Sequence, residues 1–167
     1  SQWQILAMSL ARLGCTRVNV MGGLRHGDKS RKCFFISKGN GETFLEQLRK
    51  LNHFVKEEWV RKGHRPEDFE EKGPQVLVIL DNASFHKKRD ITESIEKELP
   101  NLRLEFLPSY SPDYNLIELV WHLSKEYIAG RLFETVEELK DLLDELLNKG
   151  ALEIKWNRKL KNKGNLV

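Results

Sequence analysis

An α/β sheet with helices on both faces is predicted by three observations. Val76 to Leu80 (VLVIL) is a continuous apolar run too short for a helix, the pattern of a central strand covered on both sides. Thr16 to Leu24 (TRVNVMGGL) alternates, with Val18 and Val20 on one face and Arg17 and Asn19 on the other, and it closes on Gly22 and Gly23. Leucine-rich stretches at helical intervals lie between and after these runs.

The elements follow in order. The polar segment His26 to Lys32 reads as a hairpin turn, and Cys33 to Ser37 (CFFIS) as the short strand leaving it. Thr43 and Glu46 have capping-box spacing, and Leu45, Leu48, Leu51, Val55 and Trp59 recur as on a helix face. Arg61 to Pro74 is a charged surface connection leading into VLVIL. Ile91, Ile95 and Leu99 define a helix closed by Pro100, and Leu102, Leu104 and Phe106 alternate in a strand cut by Pro108. A polar turn, SYSPDYN, precedes a helix from Leu116 to Ile128. A last helix starts at Thr135, with Glu138 in capping-box position and a leucine stripe behind it. The sequence divides into one domain over 1–150 and a basic tail over 151–167. Ser1 is not an initiator methionine, and the opening residues carry no start-of-domain character, so the chain is expected to begin inside its domain.

Composition bounds the function without fixing it. With 167 residues, 40% of them hydrophobic and 32% charged, the chain suits an ordinary globular domain. No apolar run approaches the ~20 residues that span a bilayer, and no signal peptide is legible. Cys15 and Cys33 lack metal-ligand spacing and read as reduced core thiols in a cytoplasmic protein. The net charge of +3 permits nucleic-acid binding without demanding it. Basic residues cluster at Lys29, Arg31 and Lys32, at Lys87, Lys88 and Arg89, and from Lys155 to Lys163. For any single cluster, solvated surface charge is the favoured reading.

Two carboxylates stand out. Asp81 follows the apolar strand in LVILDNASFH, and functional groups in α/β sheets gather at such carboxyl ends. It is equally well placed to cap the next helix or to form an Asx turn with Ser84. Glu118 lies in SPDYNLIELVW, early in a helix for which Asn115 is a plausible N-cap. The spacing of Asn115 and Glu118 is close to a capping box, a purely structural alternative.

LVILDNASFHKK followed by LEFLPSYSPDYNLIELVW resembles the mariner-like and bacterial insertion-sequence transposases of the DDE superfamily. The matching residues are Asp81, Asn82 and His86, then Pro108, Tyr110, Ser111, Pro112, Asn115, Ile117, Glu118 and Trp121. Thirty-six residues separate Asp81 from Glu118. Leu116 stands where the family usually has proline, which only eases helix entry.

The resemblance implies an RNase H-like mixed sheet and a DNA transposase catalytic domain that hydrolyses phosphodiesters and transfers strands. It implies Mg²⁺ or Mn²⁺ in a two-metal site, with ions ~3.5–4 Å apart, bound by Asp81 and Glu118 as the catalytic acids. Asn82, His86 and Asn115 would orient these acids or touch substrate. Lys87, Lys88, Arg89, Lys155, Arg158 and Lys159 are the DNA-contact candidates, and Trp156 either joins them or docks on its own domain. The implied partners are DNA, as transposon ends and target, and a second copy of the chain, in a prokaryotic, nucleoid-associated setting. The family's first acid sits on a strand before the Gly-Gly hairpin, and no Asp or Glu occurs here before Asp28. That acid and its strand are therefore expected to be missing, leaving a weak or inactive enzyme. The alternatives are a non-catalytic DNA- or partner-binding remnant, and a structure-selective nuclease of the same fold.

Overall fold

The computed structural model describes residues 3–15, 18–37, 39, 41–80, 88–108 and 115–156. The strands are β1 (Trp3–Leu13), β2 (Val18–Arg25), β3 (Arg31–Phe35), β4 (Gln75–Leu80) and β5 (Leu102–Phe106). The helices are α1 (Gly41–Arg61), α2 (Phe69–Lys72), α3 (Lys88–Glu98), α4 (Ile117–Ile128) and α5 (Val136–Asn148). The strands form one mixed sheet in the order β3-β2-β1-β4-β5. β1 pairs antiparallel with β2 and parallel with β4, and β4 pairs parallel with β5.

The sheet corrects one expectation. A strand does precede the Gly-Gly hairpin: β1 is the central strand, with neighbours on both sides. Its residues alternate between two apolar layers. Ala7, Ala11 and Leu13 join the core beneath α4 and α5, whereas Leu6 and Met8 join the core beneath α1 and α3. A strand covered on both faces shows no polar–apolar alternation, because neither face meets water. The helices thus lie on both sides of the sheet, as predicted.

The α1 layer is held by Phe44, Leu48, Leu51 and Val55, packed with Phe69, Ile95 and Leu99. Thr43 lies within the first turn of α1, which begins at Gly41, and so is not its N-cap. The charged connection before β4 is partly helical, and it buries Phe69 with its ring edge toward Trp59, 5.8 Å between centroids. Arg25 at the end of β2 donates to both carboxylate oxygens of Glu58 on α1, at 2.7 and 3.0 Å.

The α5 layer begins as the sequence predicts. Thr135 is the N-cap of α5, and its hydroxyl accepts from the Glu138 amide at 3.2 Å. Leu139, Leu143, Leu146 and Leu147 form the buried stripe. Its far end is clasped by β3. The Arg31 guanidinium donates to the carbonyls of Leu147, Leu146 and Leu152 at 2.8–2.9 Å. Arg31 is therefore a structural clasp and not part of a solvated basic patch. The Asn148 side chain meets the backbone of Cys33 twice, accepting from its N–H at 2.8 Å and donating to its carbonyl at 3.0 Å. Cys33 is buried, and burial pushes its thiol up to about 12; Cys15 is exposed, contrary to expectation. Beyond α5, Leu152 is buried, and Ile154 and Trp156 pack on the same core, so Trp156 docks on its own domain. No described helix is long and apolar enough to cross a membrane.

Candidate active site

The site forms where the carboxyl end of β4, the middle of β1 and the start of α4 meet. β4 ends at Leu80, as predicted, and Leu80 pairs with Met8 on β1 and Phe106 on β5. Ser9 follows Met8 on β1, and Asp81 follows Leu80 in the sequence. Asp81, Asn82, His86 and Lys87 lie outside the described residues.

α4 carries Glu118 in its first turn, where the partial positive charge of the helix N-terminus favours a carboxylate. Its partner is on the sheet. The Ser9 hydroxyl donates to Glu118 Oε1 at 3.2 Å and accepts from the Trp121 indole N–H at 2.7 Å. Glu118 and Trp121 are three apart, so both project from one side of the helix. Ser9 shares the α4 side of β1 with Ala7 and Ala11, and these small side chains let the helix lie close.

Gly22 completes the arrangement. It pairs with Ser9 across the β1–β2 ladder. A Cβ at Gly22 would sit 2.6 Å from the Trp121 ring. The absent side chain leaves the indole room to lie over the sheet and reach Ser9.

Asn115 does not cap α4. Leu116 holds the N-cap position without a side-chain cap bond, and the amide of Glu118 donates to the Asn115 backbone carbonyl at 2.9 Å. The Asn115 side chain is buried and donates to the Met8 carbonyl at 3.2 Å, tying the entry of α4 to β1 next to Ser9. Its Oδ1 has no hydrogen-bond partner among the described residues. The capping-box alternative therefore loses its Asn115 half.

The other site candidates are dispersed or undescribed. Arg89 is exposed on α3 and pairs with Glu93 at 3.5 Å. Lys88 opens that helix, Lys155 is exposed beyond α5, and Arg158 and Lys159 lie outside the described residues. Asp28, the earliest acid in the chain, is committed to the β2–β3 turn, where it accepts from the amide and hydroxyl of Ser30. An apolar groove of ≈ 570 Å³, lined by Gly14, Cys15, Ile128, Phe133 and Leu139 among others, includes none of the site residues.

The profile of the family described as "DDE superfamily endonuclease" matches residues 10–140. This chain belongs to that family. The match runs from the end of β1 into α5 and takes in β2 to β5 and Glu118. The DDE-family chain is 31% identical over 68 residues to an uncharacterized protein, y4pE/y4sA, of Sinorhizobium fredii (strain NBRC 101917 / NGR234), covering 40% of this chain and 47% of that protein. It thus spans about half the length of the curated relative it matches. Among solved structures, the catalytic domain of Mos1 mariner transposase aligns with a TM-score of 0.62 at 19% identity, over 89% of this chain and 71% of that one. The HTLV-2 integrase catalytic core in complex with magnesium, in dimeric form, aligns at 0.51 and 8% identity, over 90% and 88%. These likenesses establish an RNase H-like transposase and integrase core fold.

The described residues do not by themselves complete a site for a pair of divalent ions. Hard cations need several carboxylate or carbonyl oxygens. The described residues of this DDE-family site offer one carboxylate, one hydroxyl and an indole N–H that can only donate. No group of three His, Cys, Asp or Glu side chains suited to a metal occurs among them. Ser9 and the partnership of Trp121 escaped sequence reasoning. The available signal was Gly22, a glycine inside a strand, which marks a close approach from another element.

Proposed function

We propose that this DDE-family domain is the catalytic domain of a DNA transposase, and that the chain as it stands cuts DNA weakly or not at all. One observation carries the reading: α4 delivers Glu118 onto the middle of β1, alongside the carboxyl end of the apolar strand that precedes Asp81. A helix acid held beside the carboxyl end of an apolar strand suits a phosphodiester site that takes Mg²⁺ or Mn²⁺. The substrate is DNA, as element ends and target, and a second copy of the chain is the proposed partner. Since the described donors fall short of such a site, no chemical step is assigned to them.

Ser9 favours a second reading, a remnant that keeps the fold and its DNA contacts without catalysis. Mn²⁺-dependent nicking of supercoiled plasmid and of element-end DNA tests both. The unmodified chain is expected to cut no more than a buffer control while still shifting DNA in a gel. Robust cleavage abolished by Asp81→Ala would show a complete catalytic site. Absence of any DNA binding would remove both readings.

A further inference from the structure

We infer that the outer strand β5 is where this chain takes up a second copy of itself, pairing antiparallel with the β5 of that copy about a two-fold axis at Leu104. The inference rests on the proposed function only for the expectation of a second copy; the residues that carry it lie outside the site. β5 has β4 on one side and no described strand on the other. The Asn101 carbonyl accepts from the Val76 N–H, and the Leu107 N–H donates to the Leu80 carbonyl, both at 2.7 Å. Backbone groups alternate sides along a strand, so Arg103 and Glu105 also turn theirs toward β4, and Leu104 turns its N–H and C=O away. No described residue bonds to those two groups. An outer strand in this state is a ready partner for another strand.

The side chains choose the occupant and the register. Leu102, Leu104 and Phe106 pack on the α1 and α3 side, while Arg103 and Glu105 are exposed on the opposite face, 3.8 Å apart. In an antiparallel pair centred on Leu104, that residue meets its own counterpart and exchanges both backbone hydrogen bonds with it. Arg103 then stands opposite Glu105 of the second copy, and Glu105 opposite its Arg103. Unlike charges directly opposite one another stabilise a strand pair, and like charges destabilise it. Moving the axis to Arg103 or to Glu105 sets that residue against itself, so the Leu104 register is the one that matches the charges. An edge guarded by charges of one sign repels its own copy. β5 carries one of each sign, and the two change places across the axis.

Sedimentation of the full chain at about 1–100 μM, a span that reaches weak contacts, should show a dimer of twice 19.5 kDa that grows with concentration. Arg103→Glu and Glu105→Arg should each leave a monomer that is still folded by circular dichroism, because each sets like charges opposite one another. Mixing the two variants should restore a dimer, one copy of each. Arg103→Glu combined with Glu105→Arg in one chain should restore a dimer by itself. Cys15 is exposed, so disulfide trapping uses a Cys15→Ser background. There, Arg103→Cys and Glu105→Cys proteins should cross-link on oxidation when mixed and not when alone. The paired Cα atoms of that register stand about 4.5 Å apart, within disulfide reach.

A parent that stays monomeric throughout, or a dimer that neither charge reversal disturbs, overturns the inference. So do reversed variants that stay apart when mixed. Should a charge reversal unfold the chain, the cysteine pair decides, and failure of the mixed proteins to cross-link overturns it. Gel shift and plasmid nicking separate this inference from the transposase reading. A β5 dimer that neither binds nor nicks DNA removes that reading and leaves the inference standing. A monomeric parent that binds and nicks DNA does the reverse.

Discussion

The two faces of the sheet are built by different means. Beneath α1 and α3 the core cluster is apolar, with Gln47 and Asn101 as the polar residues buried on that side, and its ion pairs, Arg25–Glu58 and Arg49–Glu98, sit at the rim. Beneath α4 and α5 the apolar layer is interrupted by a run of polar contacts, from buried Ser9 and Trp121 to half-buried Glu118, with Asn115 alongside. Apolar packing is non-directional and tolerates rearrangement, whereas a buried hydrogen-bonded chain fixes which residue faces which. The first face supplies stability to the sheet. The second sets the position of one carboxylate.

Paired substitutions on the two faces test that contrast. The largest effects are expected from Trp121→Ala and Phe44→Ala, each costing about 3–5 kcal/mol as a large buried aromatic is removed. Trp121→Phe should then separate the faces. It keeps most of the ring but strands the Ser9 contact, so it should cost about 1–2 kcal/mol beyond its lost volume, measured by urea unfolding. Equal losses for Trp121→Phe and Phe44→Leu would mean that the polar chain adds nothing.

The adjacent glycines give a smaller, sharper comparison, since they point to opposite faces. Gly22→Ala places a methyl 2.6 Å from the Trp121 ring, and Gly23→Ala places one 3.1 Å from the end of the Leu51 side chain. Gly22→Ala should cost about 1–3 kcal/mol by overpacking and displace Trp121 from Ser9. Leu51 can give way by a few tenths of an ångström, so Gly23→Ala should stay within about 1 kcal/mol of the parent. Indole fluorescence should shift for the first and not the second.

The smallest effect concerns pH at the rim of the α1 face. The hydrogen bonds from Arg25 hold the Glu58 carboxyl below its usual range, against partial burial that works the other way. A depressed carboxyl contributes stability that is present above its unfolded pKa of about 4.3 and lost as pH falls through the lower folded value. Glu58→Gln should therefore cost about 1 kcal/mol at neutral pH, with the difference from the parent closing below about pH 4. A difference that persists at pH 3 would trace the loss to packing.

The legibility of the chain divides along similar lines. β4 was readable because five apolar residues in a row admit few alternatives, and α5 because Thr135 and Glu138 carry their cap within one turn. β1 was not. Its sequence, WQILAMSLARL, holds good helix formers such as Gln, Ala, Met and Leu, and a strand buried on both faces shows no period. Only pairing with β2 and β4, distant in sequence, makes it a strand. Asn115 looked like a cap because caps are judged from neighbours along the chain, while its real partner, Met8, lies 107 positions away. The place of Glu118 in the first turn of its helix was legible through its motif. Ser9 was not, because nothing adjacent to it announces that α4 will bring an acid to its hydroxyl. The absence of an early acid was visible, but the strand expected to vanish with it is present.

The amide of Asn148 has a consequence for how this protein meets its own copies. β3 is the last strand on its side, and an outer strand with open N–H and C=O groups is a template on which another chain can crystallise a sixth strand. At Cys33 both groups are already taken by one planar amide, which offers the donor and acceptor that a neighbouring strand would offer. Asn148 is a counterfeit strand one residue long. With the carbonyls of Leu146 and Leu147 beside it held by the Arg31 guanidinium from the same edge, it ends the sheet at its midpoint, and the ladder has no free rung there from which to grow.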